Sequence, residues 1–188
     1  YKRFLADVKL DNGEIVTAHC ANSGSMMGLK DSGNLVWLSP QTNPKAKLSH
    51  KLEMVEVNNT LVGINTSHPN MLAQEAIENN IITELEGYQN LRREVKYGTN
   101  SRIDILLSDS LNGDADCYVE VKNVTLSRTE GIGEFPDAVT SRGTKHLQEL
   151  TQMVADGYRA IMIYLIQRED CREFQIARDI DPTYSAAL

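Results

Sequence analysis

The sequence predicts a two-domain protein of the α+β/α/β class: a small five-stranded β-barrel over residues 1–64, then an αβα domain with a mixed sheet over residues 65–188. Two observations support this division. Short strand-like runs separated by turn residues fill the first segment, whereas helical and extended stretches alternate in the second. With 188 residues, 41% of them hydrophobic, the chain has enough apolar material for two packed cores.

Five short strands are predicted in the first domain. Asp11-Asn12-Gly13 is typical of a hairpin turn, and Asn58-Asn59 joins the last two strands. Strands this closely spaced favour an OB-like barrel. This fold often binds single-stranded nucleic acid or sugars, but it does not establish a function by itself. The strands are predicted at Phe4–Leu10, Glu14–Cys20, Leu35–Leu38, Leu52–Val57 and Thr60–Ile64.

The second domain has the predicted order helix, three strands, helix, strand. Gly157 ends the long helix, and Asp181-Pro182 is typical of a further helix start. The helical pieces are Met71–Asn80, Ile81–Glu86 and Thr140–Asp156, and the strands are Leu91–Tyr97, Arg102–Ser108, Cys117–Val124 and Ala160–Gln167, with an edge strand at Phe174–Ala177. The apolar spacing predicts inward faces at Leu72, Ala76 and Ile77 in the first helix and at Leu147, Leu150 and Val154 in the long one.

The cysteines and the apolar runs indicate the compartment. Cys20, Cys117 and Cys171 are odd in number and widely spaced, which predicts three free thiols in a reducing cytoplasm rather than disulfides or a zinc site. The longest apolar run, Ala160–Ile166, falls short of the roughly 20 residues that a membrane helix needs, and no leader-like segment opens the chain. We therefore expect a cytoplasmic protein without a membrane partner.

The formal net charge of −7 does not favour a polyanionic partner, because affinity for nucleic acid comes largely from lysines and arginines. The charge is uneven along the chain. Residues 1–64 carry seven Lys and Arg against six Asp and Glu, whereas residues 65–188 carry twelve against twenty. We expect some of that acid to bind a metal.

Two neighbouring strands of the second domain carry polar residues that a hairpin can bring together. Asp104 lies in the first of them, and Glu120 and Lys122 share one face of the next because strand side chains alternate. Two carboxylates and an ammonium suit metal-dependent phosphodiester cleavage, with oxygen ligands for Mg²⁺ and positive charge near the attacking water. The alternative is an ordinary ion pair on an edge strand, since such pairs contribute only about 0.2–1 kcal/mol and short Glu-x-Lys strings are frequent.

This arrangement of an acid on the second strand and Glu-x-Lys on the third resembles the core of the PD-(D/E)xK nuclease superfamily. Longer strings resemble the signatures of the bacterial and archaeal sugar fermentation stimulation protein A family over nearly the whole chain. The resemblance implies an OB-like N-terminal domain, a restriction-endonuclease-like C-terminal domain, non-specific DNA binding and a link to maltose metabolism. The strings are His19–Met26, Arg92–Gly98, Tyr118–Leu126, Phe135–Thr140 and Arg142–Leu147.

Two departures from these families are visible. Family members continue past the position of Leu188 through a further helix and strand, so the second domain is expected to lack its last layer. Asp104 follows Ile103 rather than proline, and Pro136-Asp137 falls after Glu-x-Lys, outside the superfamily motif.

The resemblance assigns roles to the clustered residues. Asp104 and Glu120 would bind Mg²⁺ or Mn²⁺ with the carbonyl of Val121, and Lys122 would orient or deprotonate the attacking water. Glu84, on the preceding helical piece, would complete the acidic cluster, or it is simply a solvated residue. Clustered carboxylates repel one another without a cation, so their convergence would itself indicate a metal.

Basic residues around the cluster are predicted to contact a nucleic-acid backbone, which gives no sequence specificity. Lys145 and His146 are expected on the exposed side of the long helix, near the scissile phosphate. Surface positions or cross-strand ion pairs are the alternative for all of these residues, and a core position is the alternative for Trp37. The predicted contacts are Arg92, Arg93, Lys96, Arg102, Arg128, Arg142, Lys145 and His146, with Lys45, Lys47 and Lys51 beside Trp37 as a stacking platform in the first domain.

The sequence thus favours a DNA-binding protein without sequence specificity that holds a nuclease-like Mg²⁺ site. The main alternative is a regulator that keeps the fold for binding DNA and has lost turnover. A third hypothesis, sugar binding by the barrel, rests on the family name and on fold analogy. The polar turn Asn22–Ser25 could also present backbone amides to an anion, or be a tight connection only. The oligomeric state is left open.

Overall fold

The computed structural model describes residues 4–188, which form two compact units. The first unit contains the described residues up to Ser67 together with 124–138 and 166–180. The second contains 68–123, 139–165 and 181–188. The segment predicted as a barrel therefore lies within the first unit, and the chain returns to that unit twice after leaving it.

The elements follow the predicted order, with one addition. The additional element is a short hairpin after the Glu-x-Lys strand, which the sequence analysis did not predict. In chain order the strands are β1 (Leu5–Lys9), β2 (Ile15–Cys20), β3 (Val36–Pro40), β4 (His50–Val57), β5 (Thr60–Gly63), β6 (Tyr88–Tyr97), β7 (Ser101–Ser110), β8 (Cys117–Val124), β9 (Leu126–Thr129), β10 (Ile132–Phe135), β11 (Arg159–Ile166) and β12 (Glu173–Ile176), and the helices are α1 (Pro69–Glu78), α2 (Ser141–Ala155) and α3 (Pro182–Ala187), with a 3₁₀ turn at Thr83–Leu85.

The first unit contains the five predicted strands in one sheet of order β1-β2-β4-β3, with β5 also paired to β4. The first part of β4 pairs with β2 in parallel, and its second part pairs with β5 antiparallel. Strand β3 pairs with β4 antiparallel. Within residues 4–188 no further pairing closes this sheet, because β1 and β3 remain as its edges. The five strands of the predicted OB-like barrel are therefore present, but the described pairings leave their sheet open.

The unpredicted hairpin forms the second sheet of the first unit. Strands β9 and β10 are antiparallel around Gly131, whose φ of +80° suits glycine in a tight turn. Strand β12 pairs with β10 in parallel, which confirms the edge strand predicted at Phe174–Ala177.

The second unit is a four-stranded sheet of order β11-β8-β7-β6. Helix α1 packs on the core that contains Ile105 and Val119, whereas α2 packs through Leu150 on the core that contains Leu106. Because neighbouring residues of β7 point to opposite faces, the two helices cover opposite sides of the sheet. A helix therefore lies on each side of this sheet.

The predicted inward faces are confirmed at Ile77, Leu147 and Leu150 but differ from the observed ones at neighbouring positions. In α1 the buried residues are Ala73 and Ile77, and Leu72 is 41% exposed. In α2 the face near the C-terminus turns so that Met153 packs inward while Val154 is 53% exposed. In each helix the apolar residue next to the true contact position was assigned to the core.

The predictions about the cysteines and about membrane helices can be compared with the structure. All three cysteines are free and buried, as predicted. No helix among the described residues has the length and apolar character needed to cross a bilayer.

Candidate metal centre

Strands β7 and β8 bring the two predicted carboxylates together. Their register pairs Ile105 with Val119, and Asp104 and Glu120 each lie one residue from this pair. The Val121 amide donates to Asp104 Oδ2 at 2.8 Å, so the carboxylate lies against β8. The charge of Glu120 also acts on the carboxyl of Asp104, as is expected of two acids that lie close together.

Asp104 accepts hydrogen bonds from two donors, but its negative charge is unfavourable at this position. In addition to the Val121 amide, the Asn70 side chain on α1 donates to Asp104 Oδ1 at 2.8 Å. Burial and the charge of Glu120 nevertheless raise the pKa of Asp104 above its ordinary value. A positive charge at this position would relieve that cost.

Glu120 is 2% exposed and uses only one of its oxygens for protein contacts. Oε1 accepts from Lys122 Nζ at 2.6 Å and contacts His146 Nδ1. Burial pushes the pKa of Glu120 upward, but the hydrogen bonds and charges of His146 and Lys122 outweigh it, so the pKa lies below the ordinary value. Oε2 is buried without a hydrogen-bond partner among the described residues.

His146 corrects the prediction of an exposed phosphate contact. It is 5% exposed and lies on the inward side of α2, in the same turn as buried Leu147, where it contacts Glu120. Its other ring nitrogen lies 3.5 Å from Arg142 Nε. A histidine one residue before an inward leucine can lie on either flank of a helix, and here it lies on the inner one.

Glu84 is not brought into this cluster. It is exposed on the 3₁₀ turn, and its backbone carbonyl accepts from Arg159 at 3.0 Å. The Arg159 amide in turn donates to the carbonyl of Asp116, just before β8 begins. Asp116 precedes Glu120 by four residues, about 13 Å along a strand. The described contacts of Glu84 therefore lie near the beginning of β8 and away from its acidic centre.

The basic residues predicted in the second unit are mostly exposed. Arg92, Arg93 and Lys96 lie on β6, the edge strand of the sheet, and Arg102 pairs with Lys96 in the β6–β7 register. Arg142 is exposed at the start of α2. Lys145 lies 3.7 Å from Glu149 on the same helix and is half-exposed.

The first-unit residues predicted to bind nucleic acid lie at the surface or near it. Lys45 and Lys47 are exposed in the loop between β3 and β4, and Trp37 is partly exposed on β3. Lys51 is half-buried on β4. Arg128 also belongs to the first unit, where it forms ion pairs, so the structure favours the pairing alternative for this residue.

The polar turn after β2 already has an anion. The amides of Ser25 and Met26 donate to Asp137 Oδ2 at 3.0 and 3.2 Å. The turn at Asn22–Ser25 thus does bind an anion, but this anion belongs to the chain itself. The carboxylate of Asp137 accepts hydrogen bonds from the two amides at this turn.

The set of possible metal ligands at this centre is small. No group of three or more His, Cys, Asp or Glu side chains suited to a metal occurs in residues 4–188. Asp104, the free oxygen of Glu120 and a backbone carbonyl nevertheless suit Mg²⁺, which usually takes one or two carboxylates and retains several waters. The residues present therefore fit a hydrated ion.

Sequence reasoning missed Asn70, Tyr97 and Glu149 around this centre. Asn70 lies just before the helix predicted from Met71, and no motif marks it. Tyr97 ends β6, and Glu149 lies on α2; neither belongs to a motif with a known spacing. The signal that could have identified Glu149 is its position one turn beyond Lys145 on the helix that also carries His146.

Comparison with known proteins places the chain in a family. Residues 1–64 match the family model of the SfsA N-terminal OB domain, and residues 67–188 match the model of the sugar fermentation stimulation protein RE domain. The chain belongs to the sugar fermentation stimulation protein family. The resemblance to this family noted in the sequence, and the OB assignment of the N-terminal part, are thereby confirmed.

Relatives in this family cover nearly all of the chain. The sugar fermentation stimulation protein homolog of Rhodospirillum centenum is 59% identical over 188 residues, which are 100% of this chain and 80% of that protein. The Brucella anthropi homolog is 56% identical with the same coverage. Pyrococcus furiosus SfsA, solved in complex with Ca²⁺, superposes with a TM-score of 0.87 at 25% identity, covering 99% of this chain and 77% of that one.

Proposed function

We propose that this protein binds DNA without sequence specificity and hydrolyses phosphodiester bonds at a Mg²⁺ or Mn²⁺ site in its second unit. Asp104 and Glu120, with the carbonyl of Val121, would hold the ion in a PD-(D/E)xK-like arrangement. The observation that carries the proposal is the buried, unpartnered Oε2 of Glu120 next to Asp104, whose own charge is unfavourable in the metal-free protein.

The relative from Pyrococcus furiosus supports the choice of a divalent ion. That protein was solved in complex with Ca²⁺, a hard cation that takes the same oxygen ligands as Mg²⁺. In this chain the available side-chain ligands are carboxylates as well, without a thiol or an uncommitted imidazole beside them. His146 is bonded to Glu120, and such a partner orients a ligand rather than binding the metal.

The residues around the ion have separate tasks. A bound divalent cation would lower the pKa of an attacking water and offset the charge that builds up on the phosphate. Lys122, with its ammonium 2.6 Å from Glu120, would hold the water or a phosphate oxygen in place. His146 keeps Glu120 charged and fixes its rotamer, so that the free oxygen stays turned to the site.

Cleavage of labelled DNA and RNA in Mg²⁺ or Mn²⁺ tests the proposal. Asp104→Asn and Lys122→Ala should each reduce the cleavage rate by at least about 100-fold. Asp109→Asn, an exposed acid on the same strand, is the matched control and should cleave normally. Cleavage that survives both active-site changes would show that the activity lies elsewhere.

A DNA-binding regulator without turnover is the second candidate. Within residues 4–188 no third side-chain ligand joins the two carboxylates, and Lys122 is already paired with Glu120. Both features favour a site that keeps the fold but not the chemistry. DNA binding without cleavage in either metal, unaffected by Lys122→Ala, would establish this candidate in place of the nuclease.

A further inference from the structure

Four buried polar atoms in the second unit have no hydrogen-bond partner among the described residues. They are the hydroxyl of Tyr97, Oε2 of Glu120, Oδ1 of Asn123 and Oε2 of Glu149. Leaving one such atom unsatisfied costs about 1–3 kcal/mol, so buried polar atoms without a protein partner usually contact an ordered water or an ion. Only Glu120 is explained by the proposed cation.

The turn that follows β6 holds the carboxylate of Glu149, whose charge also acts on Tyr97. Tyr97 pairs with Ser101 in the β6–β7 register, and the Ser101 side chain hydrogen-bonds to the Glu149 carboxylate. The Thr99 amide donates to Glu149 Oε1 at 3.2 Å. At Gly98 a Cβ would lie 2.9 Å from the carboxyl carbon of Glu149, so only glycine leaves room for it. One oxygen of Glu149 is thus anchored, and the other is free.

The ring of Tyr97 extends from this turn towards the acidic centre. It packs on Tyr118 with 5.6 Å between ring centroids, and Tyr118 shares a face of β8 with Glu120 two residues later. Burial, then the charges of Glu120, Glu149 and Asp104, raise the pKa of Tyr97. The phenol therefore stays protonated and can donate one hydrogen bond.

We propose that Tyr97 and Glu149 are positioning residues for the cation: the Tyr97 hydroxyl and the free oxygen of Glu149 hold one water of its hydration shell, next to Glu120. The water accepts a hydrogen bond from the phenol and donates one to the carboxylate, while its remaining lone pair faces the ion. Both orphaned atoms are then satisfied, as is typical of a buried water. The inference rests on the proposed function, because it requires the ion at Asp104 and Glu120.

Calorimetric titration of the metal-free full chain with Mn²⁺ tests the inference without relying on activity. Tyr97→Phe removes one oxygen and Glu149→Gln removes one charge, and each should weaken Mn²⁺ binding about 10- to 100-fold, as loss of an outer-shell partner does. The double variant should bind no more weakly than the weaker single variant, since both residues hold the same water. Melting of the metal-free Tyr97→Phe protein should be unchanged or slightly raised.

Matched controls and opposite outcomes separate the two proposals. Tyr158→Phe alters an exposed tyrosine of the same aromatic row, and Glu75→Gln alters an exposed acid on α1; both should bind Mn²⁺ like the unaltered protein. Unchanged affinity in Tyr97→Phe and Glu149→Gln, with binding abolished by Asp104→Asn, would overturn this inference alone. A loss of affinity matched by a lower melting temperature of the metal-free protein would also overturn it, in favour of a structural role. No Mn²⁺ binding by the unaltered protein would remove both proposals.

Discussion

The two carboxylates of the candidate site are unlike each other although they lie close together on the neighbouring strands β7 and β8. Glu120 is stabilised as an anion by Lys122 and His146, whereas burial and the charge of Glu120 act against the anion of Asp104. Two neighbouring acids whose pKa values are shifted in opposite directions are typical of functional sites. The contrast also predicts whether removing one of these charges raises or lowers the free energy of unfolding.

Asp104→Asn should stabilise the metal-free protein at neutral pH. A raised pKa means that the folded state binds more protons than the unfolded state in the window above the ordinary value of 3.8, so the free energy of unfolding falls as pH rises through it. Above that pH range the free-energy cost of the buried charge on Asp104 is constant, and the Asp104→Asn substitution removes it. Urea unfolding at pH 7 should show a gain of about 0.5–2 kcal/mol that disappears in acid. A loss at pH 7 would mean that the hydrogen bonds of Asp104 outweigh its charge.

Arg128→Met should show the opposite pH dependence in the first unit. Hydrogen bonds from Arg128 lower the pKa of Glu134, which is almost fully buried, and one of them is 2.7 Å long. The contribution of the pair is therefore complete above the ordinary value of 4.5 and is lost as pH falls through the lowered pKa. Unfolding at pH 7 should be easier, because the buried carboxylate of Glu134 loses its charged partner. The difference should shrink in acid, and adding Glu134→Gln should recover part of it.

At the scale of elements, periodicity predicted where most strands and helices lie, but not every face or every short strand. Leu72 and Val154 are apolar neighbours of the true contact residues, and the sequence pattern alone does not choose between adjacent positions. The β9–β10 hairpin was missed because each strand has four residues and β9 is largely polar. Its order comes from partners distant in sequence, such as β12.

Replacing Asp181 should destabilise the junction between α2 and α3. Its side chain accepts from the Thr140 amide at 2.8 Å and from the Tyr184 amide at 2.9 Å, so it caps α3 and fixes the residue that begins α2. Asp181→Ala leaves one buried and one part-buried amide without an acceptor and should lower the free energy of unfolding by about 2 kcal/mol. Asp156→Ala, at the exposed end of α2, is the control and should change it by less than about 0.5 kcal/mol. Equal effects in the two variants would contradict the capping role.

At the scale of the whole molecule, the sequence predicted the parts of the site that belong to a motif and missed those supplied by tertiary contacts. Asp104, Glu120 and Lys122 lie on adjacent strands, where pleat and pairing bring them together. Asn70 and Glu149 reach the same region only through helices whose docking depends on the complete core. The return of the chain to the first unit is also invisible in composition, because no linker-like stretch marks the crossings.

The overall charge of −7 makes any DNA affinity depend on local clusters of basic residues and on salt. Arg92 and Arg93 are exposed on the edge strand β6, so replacing both with alanine should weaken binding to all sequences alike. In titrations between about 50 and 200 mM salt, the slope of log affinity against log salt should fall by about one for each phosphate contact removed. Arg178→Ala, an exposed arginine of the first unit, serves as the control and should leave the slope unchanged. If the double replacement leaves the slope as it was, the DNA path does not follow β6, and the lysines of the β3–β4 loop become the next residues to replace.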